Sequence, residues 1–514
     1  MGIYPTIKIN KDSDISYLSA NLGDTDVLRE ITGEMFLKPK NLQIKKLDYI
    51  KYPTANDGKK HAVPMWTMNG IFKKSKNIYL PQNVNFTTHQ DLPAKMLNFV
   101  FKKSLIKSGT FNCILRLHNN GKTSKIIGVS NISNAEIPIY NLKIKNGKLS
   151  ADEKHINLKA DGDLVSTKYQ IQTQIDNSSA LPVKIKNVEI KTQYLNLARL
   201  ISVINQWSID SYKDSKLKTA VSTIKVSDIL IEKGVLAVKS IDFRSCPIED
   251  FKAVFSLDKN SILKIDTDSF KITNGTAFGS ITYNIKNGET KSNVRMKGVD
   301  SNVIASSFLG LKNQITGKLD GNANITTIGL NDRDRLKNTN GIIGFHMEDG
   351  TIPKLGSIEY LLRASTLLRS GLTSLSVNNF IELLKPFKTG TFSKISGCLY
   401  LKNGILKDIA VFSQGENLSL YLTGDYDIGE SESHTIVYGK LGKKTEGLLG
   451  PVGNLSASTL FALIPRSDNV TEYEKEISKI PDIEYKNQDV RIFRATVDGD
   501  INIDRVSTSF KWIK

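Results

Sequence analysis

Histidine, cysteine and carboxylate side chains carry most enzyme chemistry, and in this 514-residue chain their spacing does not form an active site. The histidines could act as acids, bases or metal ligands, but they are dispersed without metal-ligand spacing: His61, His89, His118, His155, His346 and His434. The cysteines have neither zinc-site spacing nor the pattern of a disulfide framework: Cys113, Cys246 and Cys398. We therefore expect no catalytic residue, no metal site and no cofactor.

Two further motifs carry chemistry in other proteins. The glycine-rich residues 447–453 are the nearest match to a phosphate-binding loop, but they lack the GK[ST] ending and a strand-to-helix context. Carboxylates are close in sequence at Glu348 and Asp349 and at Asp498 and Asp500, where we expect hairpin turns or outer strand faces. We predict that the protein is not an enzyme.

The most informative pattern is an alternation of apolar and polar residues, seen most clearly in 313–352. Over 315–325 apolar residues and glycines take the odd positions and polar residues the even ones, which is typical of a strand with one dry and one wet face, and the alternation returns at Ile343, Phe345 and Met347. The same alternation recurs along the chain. Dipeptides that favour turns separate the runs: Asn146-Gly147, Asp161-Gly162, Asn274-Gly275, Asn287-Gly288 and Asp349-Gly350.

The alternation identifies candidates for a continuous apolar lining: Leu263, Ile265, Phe270, Ile272, Ile281, Tyr283, Ile315, Leu319, Ile325, Phe345 and Met347. We predict a mainly β fold with a few helices (β-rich α+β). Its elongated, curled antiparallel β-sheet forms an open apolar groove, with short amphipathic helices at intervals. We divide the chain into 1–210, with helices near 91–107 and 194–207, then 211–440, with a helical insertion near 355–386, then 441–514, a looser helical segment and a closing C-terminal hairpin.

Composition excludes several classes of protein. A hydrophobic content of 39% and a charged content of 24% are typical neither of a disordered chain nor of a protein embedded in the membrane throughout. The net charge of +18 comes from lysines scattered over polar strand positions, so we expect no nucleic-acid partner. These lysines either solvate strand faces and block edge pairing, or attract anionic membrane surfaces and lipid head groups.

The sequence also has no stretch that suggests membrane insertion by a helix. Residues 1–20 contain no apolar run of signal-peptide length, and no window reaches the roughly 18 apolar residues of a spanning helix. An apolar stretch at 355–372 with Arg363 and Arg369 either docks on the sheet or lies at a membrane interface. We expect no spanning segment within this chain.

Several motifs occur in a specific order between residues 220 and 430. The sequence has Val299-Asp300 before a short helix, then spaced glycines in 315–321, then 336–341 and 347–352, and finally 395–406 and 422–428. In this order they resemble the C-terminal region of AsmA-like proteins. The first 200 residues resemble the strand-rich middle of the larger YhdP-type members, so 1–210 corresponds to a groove segment and 211–440 to the AsmA-like C-terminal region.

The resemblance implies a protein of the Gram-negative-type bacterial cell envelope that is associated with the inner membrane and reaches across the periplasm. Its groove would conduct phospholipid to the outer membrane, in outer-membrane lipid homeostasis and assembly. The implied partners are phospholipid or another acyl lipid and a membrane surface, and the partner proteins stay open. Such proteins begin with a membrane-spanning helix that this chain lacks, so we expect a C-terminal fragment or an incomplete reading frame.

Physical chemistry supports the same function independently, because an apolar sheet face must curl on itself or accept an apolar guest. Each methylene removed from water contributes about 0.8 kcal/mol, which gives on the order of 10 kcal/mol for a chain of about 16 carbons. One alternative is a structural or adhesive β-solenoid with a self-packed face. Another is a polysaccharide-acting β-helix enzyme, which needs a cluster of carboxylates that we do not find. Drifting strand spacing and the helices favour the groove.

Overall fold

The protein is organised in two compact units. The first comprises Met1–Asp242 with Lys252–Ile262, and the second comprises Phe243–Phe251 with Leu263–Lys514. The computed structural model describes residues 6–9, 31–51, 58, 61–75, 78–98, 105–119, 124–178, 181–197, 199–200, 228–243, 246–309, 316–329, 332–352, 390–416, 418–427, 430, 432–442, 473–484, 490–500 and 505–513. We call the two units unit 1 and unit 2.

Strands dominate the described residues of both units. They are β1 (Thr6–Ile9), β2 (Ile31–Lys38), β3 (Asn41–Lys51), β4 (Val63–Ser75), β5 (Ile78–Thr88), β6 (Leu92–Pro93), β7 (Ser108–Asn119), β8 (Ser124–Ile137), β9 (Leu142–Ala151), β10 (His155–Leu164), β11 (Thr167–Asp176), β12 (Val183–Asn196), β13 (Ile229–Phe243), β14 (Cys246–Leu257), β15 (Ile262–Ile272), β16 (Gly275–Asn284), β17 (Thr290–Asp300), β18 (Thr316–Thr327), β19 (Asn340–Ile352), β20 (Gly390–Lys402), β21 (Ile405–Gly415), β22 (Leu418–Asp427), β23 (Glu432–Gly442), β24 (Val490–Asp500) and β25 (Arg505–Trp512).

The helices of the described residues are few and short. Two 3₁₀ helices span Ala94–Leu97 and Pro138–Tyr140, and three α-helices follow as α1 (Ser301–Leu309), α2 (Asp332–Lys337) and α3 (Glu474–Ile477). The prediction of a mainly β fold with few helices is confirmed. Within the described ranges, no helix has the length and apolarity needed to cross a lipid bilayer.

Sequential antiparallel pairing builds the sheet in each unit. In unit 1 most strands pair with their neighbours in sequence from β1 to β12, and β12 then pairs with β13 in parallel. In unit 2 the antiparallel order continues without interruption from β16 to β25. Among the described strands β1 pairs only with β2 and β25 only with β24, so the sheet is open.

Register determines which side chains share a face, because residues directly opposite each other in paired strands point to the same side. In unit 1 one such row is Phe111, Ile132, Gly147, Ala160, Ile171, Ile190 and Leu236. In unit 2 one such row is Ala277, Met296, Gly321, Phe345, Gly397, Val411, Leu422, Val437 and Ala495. We call the side to which these rows point the apolar face of each unit.

Some predicted turns are wrong. Asn146-Gly147 lies inside β9, Asp161-Gly162 inside β10 and Asp349-Gly350 inside β19. The pairing of β9 with β10 shifts register at Asp161, and Asp349 has a φ of 50°, so these sites are irregularities within strands. A bulge and a tight turn both favour residues that tolerate left-handed backbone, so the sequence signal is ambiguous. The turn predicted at Asn287-Gly288 does join the paired strands β16 and β17, and Asn274-Gly275 lies at the junction of β15 and β16.

The predicted helices have mixed outcomes. In the described part of 91–107 the chain forms β6 and one 3₁₀ turn, and residues 99–104 lie outside the described ranges. The buried Asn98 side chain accepts N–H groups of Leu105 and Ile106 at 3.0 and 2.8 Å. At 194–207 the strand β12 continues to Asn196, where a helix was predicted, whereas Leu197, Arg199 and Leu200 are helical as predicted; residues 198 and 201–207 lie outside the described ranges. The insertion near 355–386 and the loop 447–453 also lie outside them.

Candidate functional site

The apolar face of unit 1 is sealed over β2 to β8. The connection that follows β5 folds over this region, with Leu92 at 0% exposure, and Asn98 Nδ2 donates to Ile106 O at 2.8 Å to hold it. We call the buried cluster the sealed patch: Ile31, Ile44, Leu47, Met65, Trp66, Leu92, Ala94, Ile106, Phe111, Cys113 and Ala135. Nothing apolar could enter here without displacing the protein's own side chains.

The same face of unit 1 is open over β9 to β12. Its apolar side chains are half-buried, although they share rows with the sealed patch: Leu142, Leu149, Ile156, Leu158, Ile171, Ile175, Ile185, Val188 and Ile190. We call this set the open strip of unit 1. Ile144, on β9, is also half-buried and packs against the sealed patch. The sequence marked these segments as strands but did not single them out as lining. The alternation of apolar and polar residues was the signal that could have identified them as lining. It does not show how far their side chains are exposed.

Unit 2 has a comparable strip on β16 to β19. Ile281, Tyr283, Leu319, Ile325, Phe345 and Met347, all candidates from the sequence, share one face by register. Ile281 is 39% exposed, and Tyr283, Ile325 and Phe345 are half-buried. We call the half-exposed set the open strip of unit 2: Ile281, Tyr283, Val294, Ala323, Ile325, Ile343 and Phe345.

The other candidates lie elsewhere. Met347 is 7% exposed in a cluster with Phe392 and Ile395, and Leu319 packs against that cluster. Ile272 is buried with Val299, and Phe270 packs against that second cluster. Leu263 and Ile265 are half-buried on β15, and Ile315 lies outside the described residues. The structure therefore brings six candidates onto one face and puts Met347 and Ile272 inside packed cores.

The opposite face of the unit 1 strip is polar. It carries an open cleft of about 520 Å³ above β8 to β12, lined mostly by lysine, asparagine, glutamine and carboxylate side chains. Asn146 donates to Asp161 at 3.2 Å, and Lys191 lies 2.7 Å from Glu189. Such exposed pairs contribute about 0–1 kcal/mol each to stability. The polar side chains of this face are instead solvated.

Titratable groups in the described residues do not assemble a reaction centre. His346 Nε2 lies 3.3 Å from Glu348 Oε1 and His434 Nδ1 lies 3.3 Å from Asp498 Oδ1, both on exposed surfaces. Burial on the apolar face raises the pKa of the Cys113 thiol to about 11, which disfavours the nucleophilic thiolate. No group of three or more potential metal ligands occurs in the part of the chain that the structure describes.

The arrangement can therefore bind an apolar guest along a face whose reverse side stays in water. Comparison of the chain with models of known protein families gave no match, and neither did comparison with curated protein sequences.

Proposed function

We propose that the protein is a non-enzymatic lipid conduit, which carries phospholipid or another acyl lipid along the open strips. The observation that supports this is the partial exposure of apolar side chains over four consecutive paired strands in each unit, half-buried except for Ile281 at 39%. A monomeric soluble protein rarely leaves a contiguous apolar face in water unless that face has a partner. A lipid tail is a partner of the right chemistry and length.

Energetics favour sliding of a tail over tight capture. Each methylene covered contributes about 0.8 kcal/mol, so a chain of about 16 carbons gains on the order of 10 kcal/mol when it is fully covered. The gain is spread over many similar side chains, none of which forms a closed pocket. A tail can therefore exchange one contact for the next without a chemical step.

The cellular setting belongs to the same proposal and rests on the resemblance to AsmA-like proteins. In that setting the protein lies in the periplasm, associated with the inner membrane, and contributes to outer-membrane lipid homeostasis and assembly. The net charge of +18 supports contact with anionic membrane surfaces.

Two adjacent isoleucines give a matched test. Ile343 is half-buried on the open strip of unit 2, paired with Ala323 and Leu399, whereas Ile342 is 44% exposed on the opposite face, paired with Asn324 and Tyr400. A photoreactive amino acid at position 343 should crosslink co-purified phospholipid, and the same residue at 342 should not. Detergent-free purification followed by lipid extraction and mass spectrometry identifies the lipid.

Substitution tests the same pair. Ile343→Glu should reduce recovered lipid several-fold while Ile342→Glu leaves it unchanged, because only the first puts a charge where the tail lies. Circular dichroism controls for folding. Wild-type protein that carries no phospholipid, or equal crosslinking at both positions, would refute the proposal.

A structural or adhesive scaffold of the cell envelope is the second candidate. The sealed patch favours it, because there the protein does cover its own apolar face. A scaffold needs no guest on the open strips, so Ile343→Glu would leave envelope function intact. The same variant therefore separates the two functions in vivo.

A further inference from the structure

The polar cleft of unit 1 has the size of a ligand site. Its volume of about 520 Å³ lies within the roughly 300–1,000 Å³ that is usual for small-molecule sites. Its walls are two rows of side chains that cross β8 to β12 in register. The first wall is Asn131, Lys148, Lys159, Gln172 and Glu189, and the second wall is Ser133, Asn146, Asp161, Gln170 and Lys191.

The two walls enclose a groove that runs across the strands. They lie two residues apart along each strand, which is about 7 Å, and they extend over five strands, which is about 19 Å at about 4.8 Å between strands. Between them the backbone of Ile132, Gly147, Ala160 and Ile171 forms the floor, because this row points to the apolar face. The groove therefore suits a narrow, elongated ligand.

Two lysines face each other in the middle of the first wall. Lys148 on β9 and Lys159 on β10 are direct cross-strand partners, and both side chains are exposed. Like charges directly opposite each other destabilise a sheet. Within the described residues neither lysine side chain has an ion pair or a hydrogen bond. An anion held between the two ammonium groups would remove this repulsion.

The other charges of the cleft have partners within the protein. Lys191 Nζ lies 2.7 Å from Glu189 Oε1, and Asn146 Nδ2 donates to Asp161 Oδ1 at 3.2 Å. With Lys148 and Lys159 included, three bases and two acids line the cleft, so its net charge is +1. The excess positive charge therefore lies at the lysine pair.

The groups beside the lysine pair suit hydroxyl groups. Gln170 and Gln172 are exposed on β11, and within the described residues their amides have no partner. An amide both donates and accepts hydrogen bonds, as a sugar hydroxyl does. Nucleic acid fits less well, because its phosphates would meet Asp161 and Glu189, and the lining residues offer no aromatic ring on which a base could stack.

We propose that this cleft binds an acidic saccharide, with a carboxylate or phosphate group between Lys148 and Lys159 and hydroxyl groups on Gln170 and Gln172. Sheet faces bind oligosaccharides in other β folds. The site lies on the face opposite to the open strip of unit 1, so it goes beyond the proposed lipid conduit and does not depend on it.

Calorimetric titration of the full chain tests the ligand class. The probes are tetragalacturonate with neutral galactotetraose, and glucose 6-phosphate with glucose, all at low ionic strength because salt screens exposed charges. At least one acid should bind about tenfold more tightly than its neutral counterpart. Absence of binding, or equal binding within both pairs, overturns the inference. Inorganic phosphate that binds as tightly as the better sugar acid also overturns it, because a simple anion would then be sufficient.

Substitution of the lysine pair tests the location. Lys148→Gln and Lys159→Gln should each weaken binding of the better sugar acid about tenfold, because each removes a hydrogen bond from a charged group. Lys168→Gln makes the same change of charge at an exposed position of β11 outside the cleft, and should have less than a twofold effect. Circular dichroism controls for folding. Equal losses in all three variants would assign binding to the overall positive charge and refute the site.

The two proposals fail separately. The lysine variants should carry as much co-purified phospholipid as the wild type, because they leave the apolar face unchanged. Loss of saccharide binding in Ile343→Glu, which lies in unit 2, would show that the two activities share one site and would overturn the inference.

Discussion

The sealed patch and the open strip of unit 1 lie on the same face of one antiparallel ladder, and they differ in what covers them. Both arise from the same alternation of apolar and polar residues, and Phe111 and Ile171 even share a transverse row. Among the described residues between β5 and β7, Leu92, Ala94 and Ile106 are buried in the sealed patch. The strands set which face is apolar, and a distant connection sets which part of it is dry.

Unit 2 shows a third arrangement, in which the face opposite to the apolar face is covered by another segment of the chain. The segment 473–484 packs over the reverse side of β21 to β24, where Tyr421 and Tyr438 are buried and the rings of Phe412 and Tyr421 stack at 4.9 Å between centroids. Lys440 donates to Ile480 O at 2.8 Å and lies 2.7 Å from Asp482. Covering a face thus requires both apolar side chains and anchoring hydrogen bonds.

The largest expected difference between the two regions of unit 1 is the stability that is lost when an apolar side chain is truncated. Trp66→Ala should lower the free energy of unfolding by about 3–5 kcal/mol, because it leaves a cavity in the sealed patch. Ile171→Ala, in the open strip, should cost about 1 kcal/mol, because the half-buried side chain loses fewer contacts. Urea denaturation measures both, and equal losses would abolish the distinction between the regions.

Thiol reactivity should show the same contrast without altering the sealed patch. Cys113 is 4% exposed and burial raises the pKa of its thiol to about 11, so alkylation at pH 8 should be about a hundredfold slower than for an ordinary thiol. A cysteine introduced by Leu158→Cys in the open strip should react much faster. Peptide mapping after timed iodoacetamide treatment compares them in one sample. Fast alkylation of Cys113 in folded protein would show that the patch opens.

The hydrogen bonds that Asn98 makes with Leu105 and Ile106 should be necessary for the seal. Asn98→Ala removes three hydrogen bonds and leaves buried backbone groups of Ile106 without them, so we expect a loss of about 2 kcal/mol in unfolding free energy. It should also speed alkylation of Cys113. Asn157→Ala, on a strand away from this loop, is the control. Unchanged protection of Cys113 in Asn98→Ala would assign the seal to the strands alone.

The smallest effect concerns the anchor of 473–484 in unit 2. The hydrogen bond from Lys440 lowers the pKa of the Asp482 carboxyl below its ordinary value. A carboxyl whose pKa is lower in the folded state stabilises it above the unfolded pKa, and this contribution is lost as the pH falls through the folded pKa, below about pH 4.

Hydrogen exchange detects this weakening. Exchange in 473–484, corrected for the intrinsic pH dependence, should rise below about pH 4 in the wild type, and Asp482→Asn should show the rise already at neutral pH. Because the Asp482 side chain is 91% exposed, the change should be small. If exchange in the wild type does not rise below about pH 4, Asp482 does not contribute to holding 473–484 in place.

The sequence predicted much of the sheet and little of its coverage. The alternation put Ile281, Leu319 and Phe345 on one face, and the register confirms that they share it. It did not separate Met347, which is buried in a core, from Phe345, two residues away, which is half-buried. A period of two reports the direction of a side chain and carries no information on what lies above it.

Irregularities of the backbone were also beyond the sequence pattern. Asp349-Gly350 has the composition of a tight turn and lies within a strand, whereas Val165 and Ser166, two residues with no turn signal, have positive φ values between β10 and β11. The pairing of β19 with β18 and β20 outweighs the local preference of Asp349-Gly350 for a turn.

The sequence by itself determined that the chain forms strands with one apolar and one polar side, because that property depends only on residues two apart. The tertiary structure alone decided which apolar stretches are sealed and which stay accessible. Leu92 is buried in the same cluster as Ile31, which lies on a strand far earlier in the chain, and Met347 is buried against Phe392 and Ile395 of another strand. Coverage depends on contacts between segments far apart in the chain, which a local pattern does not encode.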